Sequence, residues 1–239
     1  MKTLFISDLH LEDNRPDISG WLLEFLAGPA RSAEALYILG DLFEYWIGDD
    51  ALSPTASALA EKTAGLAAAG LKIYFQHGNR DFLLGSDYAE KAGLQLLPET
   101  CVVDLYGTPT LLLHGDSLCT DDKEYQVFRQ QSRNPAWQAA VLAMSVTERI
   151  AMAKSARDAS AEHKGAADMA IMDVNEEAVQ QAFLQHDVSR MIHGHTHRPA
   201  VHQHELPGGG SATRYVLADW YKEGSYLEVT ADALISKTV

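Results

Sequence analysis

Leu4-Phe5-Ile6-Ser7-Asp8-Leu9-His10 is a short apolar run that ends abruptly in two side chains able to ionise. The same phrase recurs four times. Ala35-Leu36-Tyr37-Ile38-Leu39 leads into Gly40-Asp41, and Lys72-Ile73-Tyr74-Phe75 leads into His77-Gly78-Asn79-Arg80-Asp81. Thr110-Leu111-Leu112-Leu113 leads into His114-Gly115-Asp116, and Arg190-Met191-Ile192 leads into His193-Gly194-His195-Thr196-His197. Apolar and aromatic runs of this length, closed by a glycine or polar turn, read as strands. Each polar cluster then sits at the carboxyl end of its strand, where α/β folds place their sites.

Working outward, the segments Ile18 to Phe25 and Ser53 to Ala69 are rich in Ala and Leu and read as helices. The later runs Tyr215–Leu217 and Tyr226–Val229 follow Pro207-Gly208-Gly209 with no helix between them and read as antiparallel hairpins. The sequence therefore predicts an α/β (α+β) fold, a mixed sheet or β-sandwich with helices on its outer faces.

Spacing locates an insertion. Asp8 to Asp41 is 33 residues, Asp41 to Asn79 is 38, and Asn79 to His114 is 35, each read as one β-α-β step. His114 to His195 is 81, a surplus of more than 40. The extra residues fall before a helix at about Asn175 to Gln185 and read as helices themselves, Glu124 to Gln131 and Pro135 to about Arg157. Pro135 suits a first helical turn. Read as one helix, the second carries Trp137, Val141 and Met144 on one side and Leu142, Val146 and Ile150 on another. A helix apolar on two faces needs cover on both. The predicted domains are a core of 1–119 and 171–239 and an inserted helical lid of 120–170.

Composition narrows the function. The net charge of −14 disfavours a sequence-independent nucleic-acid binder. The insert holds seven basic and seven acidic residues, so the remainder of the chain carries that charge. Two separated cysteines, Cys101 and Cys119, point to a reduced compartment. Residues 1–7 show no charged n-region, so no signal peptide is expected. No apolar run approaches the roughly 20 residues of a membrane helix, so any membrane contact is expected to be peripheral.

Together the strand ends offer three oxygen donors (Asp8, Asp41, Asn79) and four imidazoles (His10, His114, His195, His197). Seven ligands exceed one ion and suit two, and a carboxylate such as Asp41 can bridge them. A mixed N/O set without thiolate favours Mn²⁺, Fe²⁺ or Zn²⁺ over Mg²⁺. Two such ions can clamp a phosphoryl oxygen and support in-line hydrolysis. His202-Gln203-His204, by contrast, reads as an exposed hairpin surface.

The strings Asp8-Leu9-His10, Gly40-Asp41, Gly78-Asn79-Arg80-Asp81, His114-Gly115-Asp116 and Gly194-His195-Thr196-His197 resemble the calcineurin-like metallophosphoesterase superfamily over nearly the whole chain. The resemblance implies that Asp8, His10, Asp41 and His197 hold one metal, and Asp41, Asn79, His114 and His195 the other. Many members carry His directly after the Asn. Here that position is Arg80, which stays protonated and binds phosphate bidentately. An acid is dispensable when the leaving group is itself a phosphate, which favours a diphosphate bond.

Three longer strings, Phe43 to Asp50, Gly78 to Leu83 and His114 to Asp122, resemble the branch of the superfamily that cuts UDP-2,3-diacylglucosamine in bacterial lipid A synthesis. That likeness implies a diphosphatase with two Mn²⁺ ions per chain, giving UMP and 2,3-diacylglucosamine 1-phosphate, with a helical lid over the acyl chains. It also implies a cytoplasmic protein, peripheral on the inner membrane, with no obligate protein partner. Catalytic roles fall to Asp41, Asn79, Arg80 and His114. Substrate contacts fall to Asn79, Arg80, Asp122, Ser160, Lys164 and His195. Two rivals remain: a superfamily hydrolase of cyclic nucleotides or dinucleoside polyphosphates, and a non-catalytic module on this fold. The second predicts eroded ligands, and all seven candidates are present.

Overall fold

The computed structural model describes residues 1–166 and 173–239, with side chains left aside for 159–166. The chain forms two sheets packed face to face. The first runs β11-β10-β1-β2-β3-β4, from β1 (Thr3–Ile6), β2 (Ala35–Leu39), β3 (Lys72–Gln76), β4 (Leu94–Leu96), β10 (Ser225–Val229) and β11 (Leu234–Thr238). The second runs β5-β6-β7-β9-β8, from β5 (Thr100–Leu105), β6 (Thr108–Leu113), β7 (Arg190–His193), β8 (Ala200–Glu205) and β9 (Ser211–Val216).

Strand alternation builds the layers. In β1, Leu4 and Ile6 face the helices on the outside while Phe5 enters the space between the sheets. In β6, Leu112 points between the sheets and Leu111 and Leu113 point outward. Ile192 and Met191 of β7 divide the same way. Side chains of period two on a strand buried on both faces give such continuous apolar runs. The outer face of the first sheet is covered by α1 (Pro16–Ala27), α2 (Pro54–Ala68) and α3 (Ser86–Ala92). That of the second is covered by α7 (Glu176–His186) through Val179 and Phe183.

The sandwich flanked by helices agrees with the sequence reading, but three details differ. The step from Asn79 to His114 is not one β-α-β unit. After α3 and the short β4, the hairpin β5–β6 carries the chain into the second sheet. The run at Tyr215 pairs antiparallel with β8 but parallel with β7, so the hairpin is only one of its two partnerships. The helix expected from Pro135 to Arg157 is two helices, α5 (Pro135–Leu142) and α6 (Val146–Ala166), following α4 (Lys123–Ser132). Ser145 and Glu148 form a capping box, with Ser145 N donating to Glu148 Oε2 at 2.9 Å and Glu148 N donating to Ser145 Oγ at 3.4 Å. This cap starts α6 afresh. The two apolar rows therefore do not share one helix. Val141 is buried in the main core with Trp137 against it, while Leu142, Met144, Val146 and Ile150 remain exposed.

The helices between β6 and β7 are tied to the metal-side loops. Buried Arg149 of α6 donates to the Ile47 carbonyl and holds Asp50 at 2.7 and 2.5 Å. Arg133, at the end of α4, donates to the Gly78 carbonyl at 2.9 Å. Among the described residues, no helix is long and apolar enough to cross a membrane.

Candidate metal centre

All seven candidate ligands follow strand ends. Asp8, His10, Asp41 and Asn79 come from the first sheet, and His114, His195 and His197 from the second. The backbone turns sharply at these points. Asp8, His10, Asp41, His195 and His197 all adopt left-handed φ, between 51° and 69°. Non-glycine residues there are uncommon and carry a conformational cost, which at functional sites aims a side chain inward. The loops bind one another. Asp8 N donates to the Gly40 carbonyl at 3.1 Å, and His195 N donates to Asp8 Oδ2 at 2.9 Å, joining the two sheets. Gly78 allows the closest approach: a Cβ there would lie 2.1 Å from Asp41 Oδ1 and 2.3 Å from Asp41 N.

The donor atoms converge in two groups, Asp8-His10-His197 and Asp8-Asp41-His114, each spanning no more than 4.8 Å. His10 Nε2 and His197 Nε2 face each other at 3.3 Å. Asn79 Oδ1 lies 3.0 Å from His114 Nε2 and 2.9 Å from His195 Nδ1. Asp41 stands between the groups, with Oδ2 3.9 Å from His10 Nε2 and Oδ1 3.7 Å from His114 Nε2. Asp8 Oδ1 is buried and receives no hydrogen bond among the described residues. It lies 3.4 Å from His197 Nε2. A buried carboxylate oxygen without a donor, ringed by imidazole nitrogens, fits divalent cations.

The electrostatics agree with that fit. Burial pushes the Asp8 carboxyl up, but His197, His114 and His10 outweigh it and hold Asp8 below the carboxylate range. Burial opposes protonation of His10, and Glu44 and the Asp41 and Asp8 carboxylates more than offset it. Burial, followed by the neighbouring His114, lowers His195 to about 3. His114 Nδ1 is 2.8 Å from the Leu39 carbonyl, an arrangement that makes Nδ1 the donor and leaves Nε2 as the atom that could hold a cation.

Several supporting residues carried no role in the sequence reading. Glu44 Oε2 lies 2.8 Å from His10 Nδ1, a carboxylate–imidazole contact of the kind that orients histidines able to hold a metal. Glu44 Oε1 also meets Arg157 Nε at 3.0 Å and Arg80 Nη1 at 4.0 Å. Asp81 accepts from Gly78 N and Leu42 N, both at 2.8 Å, and so clamps two ligand loops. Asp116 accepts from the Tyr125 hydroxyl at 2.7 Å and Arg129 Nε at 3.0 Å. Glu44, Asp81 and Asp116 stand inside the quoted strings, which was their only signal. Arg214 Nη1 donates to His193 Nε2 at 3.0 Å, and its Nε donates to His204 Nε2 at 3.2 Å. His204 is therefore buried, contrary to the exposed hairpin expected for His202-Gln203-His204, because its ring lies between Arg214 and Glu176 of α7.

Arg80 sits at the edge of the cluster, its N donating to Asp41 Oδ1 at 2.8 Å. Asp122 is buried and caps α4, accepting from Tyr125 N at 3.0 Å. The side chains of Ser160 and Lys164 lie outside the described residues.

Residues 1–199 match the profile of the calcineurin-like phosphoesterases. The chain belongs to the calcineurin-like phosphoesterase family. A Stenotrophomonas maltophilia (strain K279a) protein named UDP-2,3-diacylglucosamine hydrolase is 52% identical, with 97% of this chain and 96% of that protein covered. A protein of the same name from Xanthomonas campestris pv. campestris is 50% identical, with 98% and 97% covered. Among solved structures, the E. coli phosphoesterase Yfce aligns over 100% of this chain and 98% of its own, at TM-score 0.46 and 16% identity. Membership of this family, with these relatives, makes the chain a metal-dependent hydrolase.

Proposed function

We propose that this hydrolase cleaves the diphosphate bond of UDP-2,3-diacylglucosamine, giving UMP and 2,3-diacylglucosamine 1-phosphate. The observation that carries the reading is that the Asn79–Arg80 loop of the donor cluster is joined by aromatic packing to the helices between β6 and β7. Phe82, two residues beyond Arg80, packs against Phe128 of α4 and Trp137 of α5, with ring centroids 6.4 and 6.1 Å away. The loop that carries Arg80 is thus packed through Phe82 against the helices of 120–170, which we read as a lid. The relatives' shared name supports the same substrate.

Asp8, His10, Asp41 and His197 would hold one Mn²⁺, and Asp41, Asn79, His114 and His195 the second. When bound, two ions supply Lewis-acid charge stabilisation and an activated water for in-line attack. The protein's own groups do the rest. Glu44 keeps the His10 ring aimed, and the Leu39 carbonyl fixes the His114 tautomer. Arg80 holds the diphosphate and donates no proton, because guanidinium does not titrate in this range. The departing lipid phosphate leaves as an anion and needs no acid. Asp122, Ser160 and Lys164 are assigned to the sugar and phosphate head group.

Acyl burial dominates affinity, at about 0.8 kcal/mol per buried CH₂. Exposed Val127, Leu142, Met144, Val146 and Ile150 give these helices an apolar outer surface. We assign it to peripheral contact with the cytoplasmic face of the inner membrane, where the substrate is met.

Release of UMP from UDP-2,3-diacylglucosamine tests the proposal, with the parent chain stripped by chelator and then reloaded. The stripped protein should be inactive and Mn²⁺ should restore it. Arg80→Ala should lose at least about tenfold, as for loss of a charge-assisted phosphate contact. A Mn²⁺-loaded chain that cleaves a simple phosphodiester but releases no UMP would overturn the substrate assignment.

A further inference from the structure

A polar cavity borders the donor cluster at His10. Phe82, two residues after Arg80, packs with Phe128 and Trp137 and lies under the Arg133 guanidinium, 5.7 Å from the ring centroid. The cavity, of about 340 Å³, is lined by His10, Glu12, Asn14, Arg15, Glu44, Arg157 and Tyr221. That volume is at the lower end of the range for small-molecule sites, which suits part of a ligand better than a whole one.

The proposed substrate carries a nucleoside on one phosphate and a diacylated sugar on the other. A cavity lined by two carboxylates, two guanidinium groups, a carboxamide and a tyrosine suits the polar nucleoside half of that diphosphate and not its acyl chains. We infer that this cavity is the nucleoside subsite, with Tyr221 as its stacking platform and Asn14 and Arg15 reading the pyrimidine edge. The inference rests on the substrate proposed above and adds where its uridine sits.

The residue types fit that ligand. The Tyr221 ring lies parallel to His10, with centroids 5.1 Å apart and 11° between planes, and it remains 42% exposed. A flat aromatic held on one side and open to solvent offers a surface on which a base stacks. Arg15 Nη2 donates to the Tyr221 carbonyl at 3.2 Å and fixes that segment beside the cavity. Uracil presents one N–H and two carbonyl oxygens. A carboxamide, which both donates and accepts, is complementary to that edge, and Arg15, whose Nε and Nη2 are held by Asp17 at 3.0 and 2.8 Å, offers Nη1 as its remaining donor nitrogen. Glu12 is a carboxylate for the ribose hydroxyls, held by Arg157 Nη1 at 2.8 Å. Pyrimidine readout by these groups also accounts for selection of the nucleotide half, which acyl burial cannot provide.

Inhibition by UMP and by inorganic phosphate, measured side by side on the Mn²⁺-loaded chain, tests the assignment. Both probes meet the metals through phosphate, and only UMP carries a base. Tyr221→Ala should weaken UMP by about 10- to 100-fold, the range for loss of a stacked base. Phosphate should shift far less, and Tyr221→Phe should restore UMP binding. Asn14→Ala, on an exposed loop with no bearing on the metals, should narrow the preference for UMP over AMP. If Tyr221→Ala weakens UMP and phosphate equally, the ring serves only the metal ligand His10 and the subsite is refuted. An unaltered UMP-to-AMP ratio in Asn14→Ala refutes the edge readout. Failure of the substrate proposal looks different: the parent chain itself would release no UMP from the lipid substrate, whatever these variants do.

Discussion

Removing the Glu44 carboxylate should loosen metal binding without touching a metal ligand. Glu44 Oε2 is 2.8 Å from His10 Nδ1, and the two side chains are 10% and 3% exposed. Solvent screening, which reduces surface pairs to about 0–1 kcal/mol, is therefore weak here. Loss of such an orienting partner typically costs 10- to 100-fold in metal affinity, about 1.4–2.7 kcal/mol. Burial places Glu44→Ala toward the upper end. Glu44→Gln keeps an acceptor oxygen and loses the charge, so it should fall between Ala and the parent. Arg157→Ala frees Glu44 of its 3.0 Å ion pair yet leaves the His10 contact in place, so its metal affinity should stay within about threefold of the parent, since an exposed pair is worth little. Calorimetric titration with Mn²⁺ measures all three, and activity in excess Mn²⁺ should recover most of the Glu44→Gln deficit. A folded Glu44→Ala protein that binds Mn²⁺ with parental affinity would refute the orienting role.

Three further outcomes are expected. Gly78→Ala drives a methyl into Asp41 N and Oδ1, and a displacement of about 1 Å at a reacting centre costs about 10²-fold in kcat/KM, which steady-state assay would show. In the metal-free chain, His10 and His114 are raised above 6.5, so their protonation contributes stability that is complete below that value and lost as pH rises through the raised ones. Its melting temperature should fall as pH rises above 6.5, whereas stabilisation by Mn²⁺, which needs neutral imidazole, should grow over the same range; calorimetry at several pH values would expose a wrong sign. Asp50→Ala leaves the buried Arg149 guanidinium without its carboxylate, so α6 amides should exchange faster while those of β1 and β2 stay protected, as read by hydrogen exchange.

The sheet core and the convergence of the seven candidate donors were legible because both repeat. Five apolar runs ending in Asp, Asn or His gave strand positions and candidate donors together. What stayed hidden depended on partners distant in sequence. Glu44 looked like any acidic residue until His10 was placed beside it. His204 looked exposed because an alternating polar strand says nothing about a helix packed over it, and the first turn of α7 supplies Glu176. The hairpin β5–β6 was missed because its gap length mimics a β-α-β step, although the chain changes sheets there. The break between α5 and α6 was written in Ser145 and Glu148, but the apolar periodicity running through them masked the cap.

The left-handed backbone at Asp8, His10, Asp41, His195 and His197 restricts how this site can evolve. Aspartate, asparagine and histidine visit that region more readily than other side chains with a Cβ, and elsewhere it costs about 1–2 kcal/mol per residue. A glutamate or cysteine at these positions would face a backbone penalty before its donor chemistry came into play. The ligand alphabet is thereby narrowed, and drift toward softer metals through thiolates is opposed by the main chain itself. A descendant that had abandoned catalysis would keep the same turns and fill them with glycine or asparagine. Glycine at positions 8, 10 or 41 would then be the heritable trace of a retired metal centre.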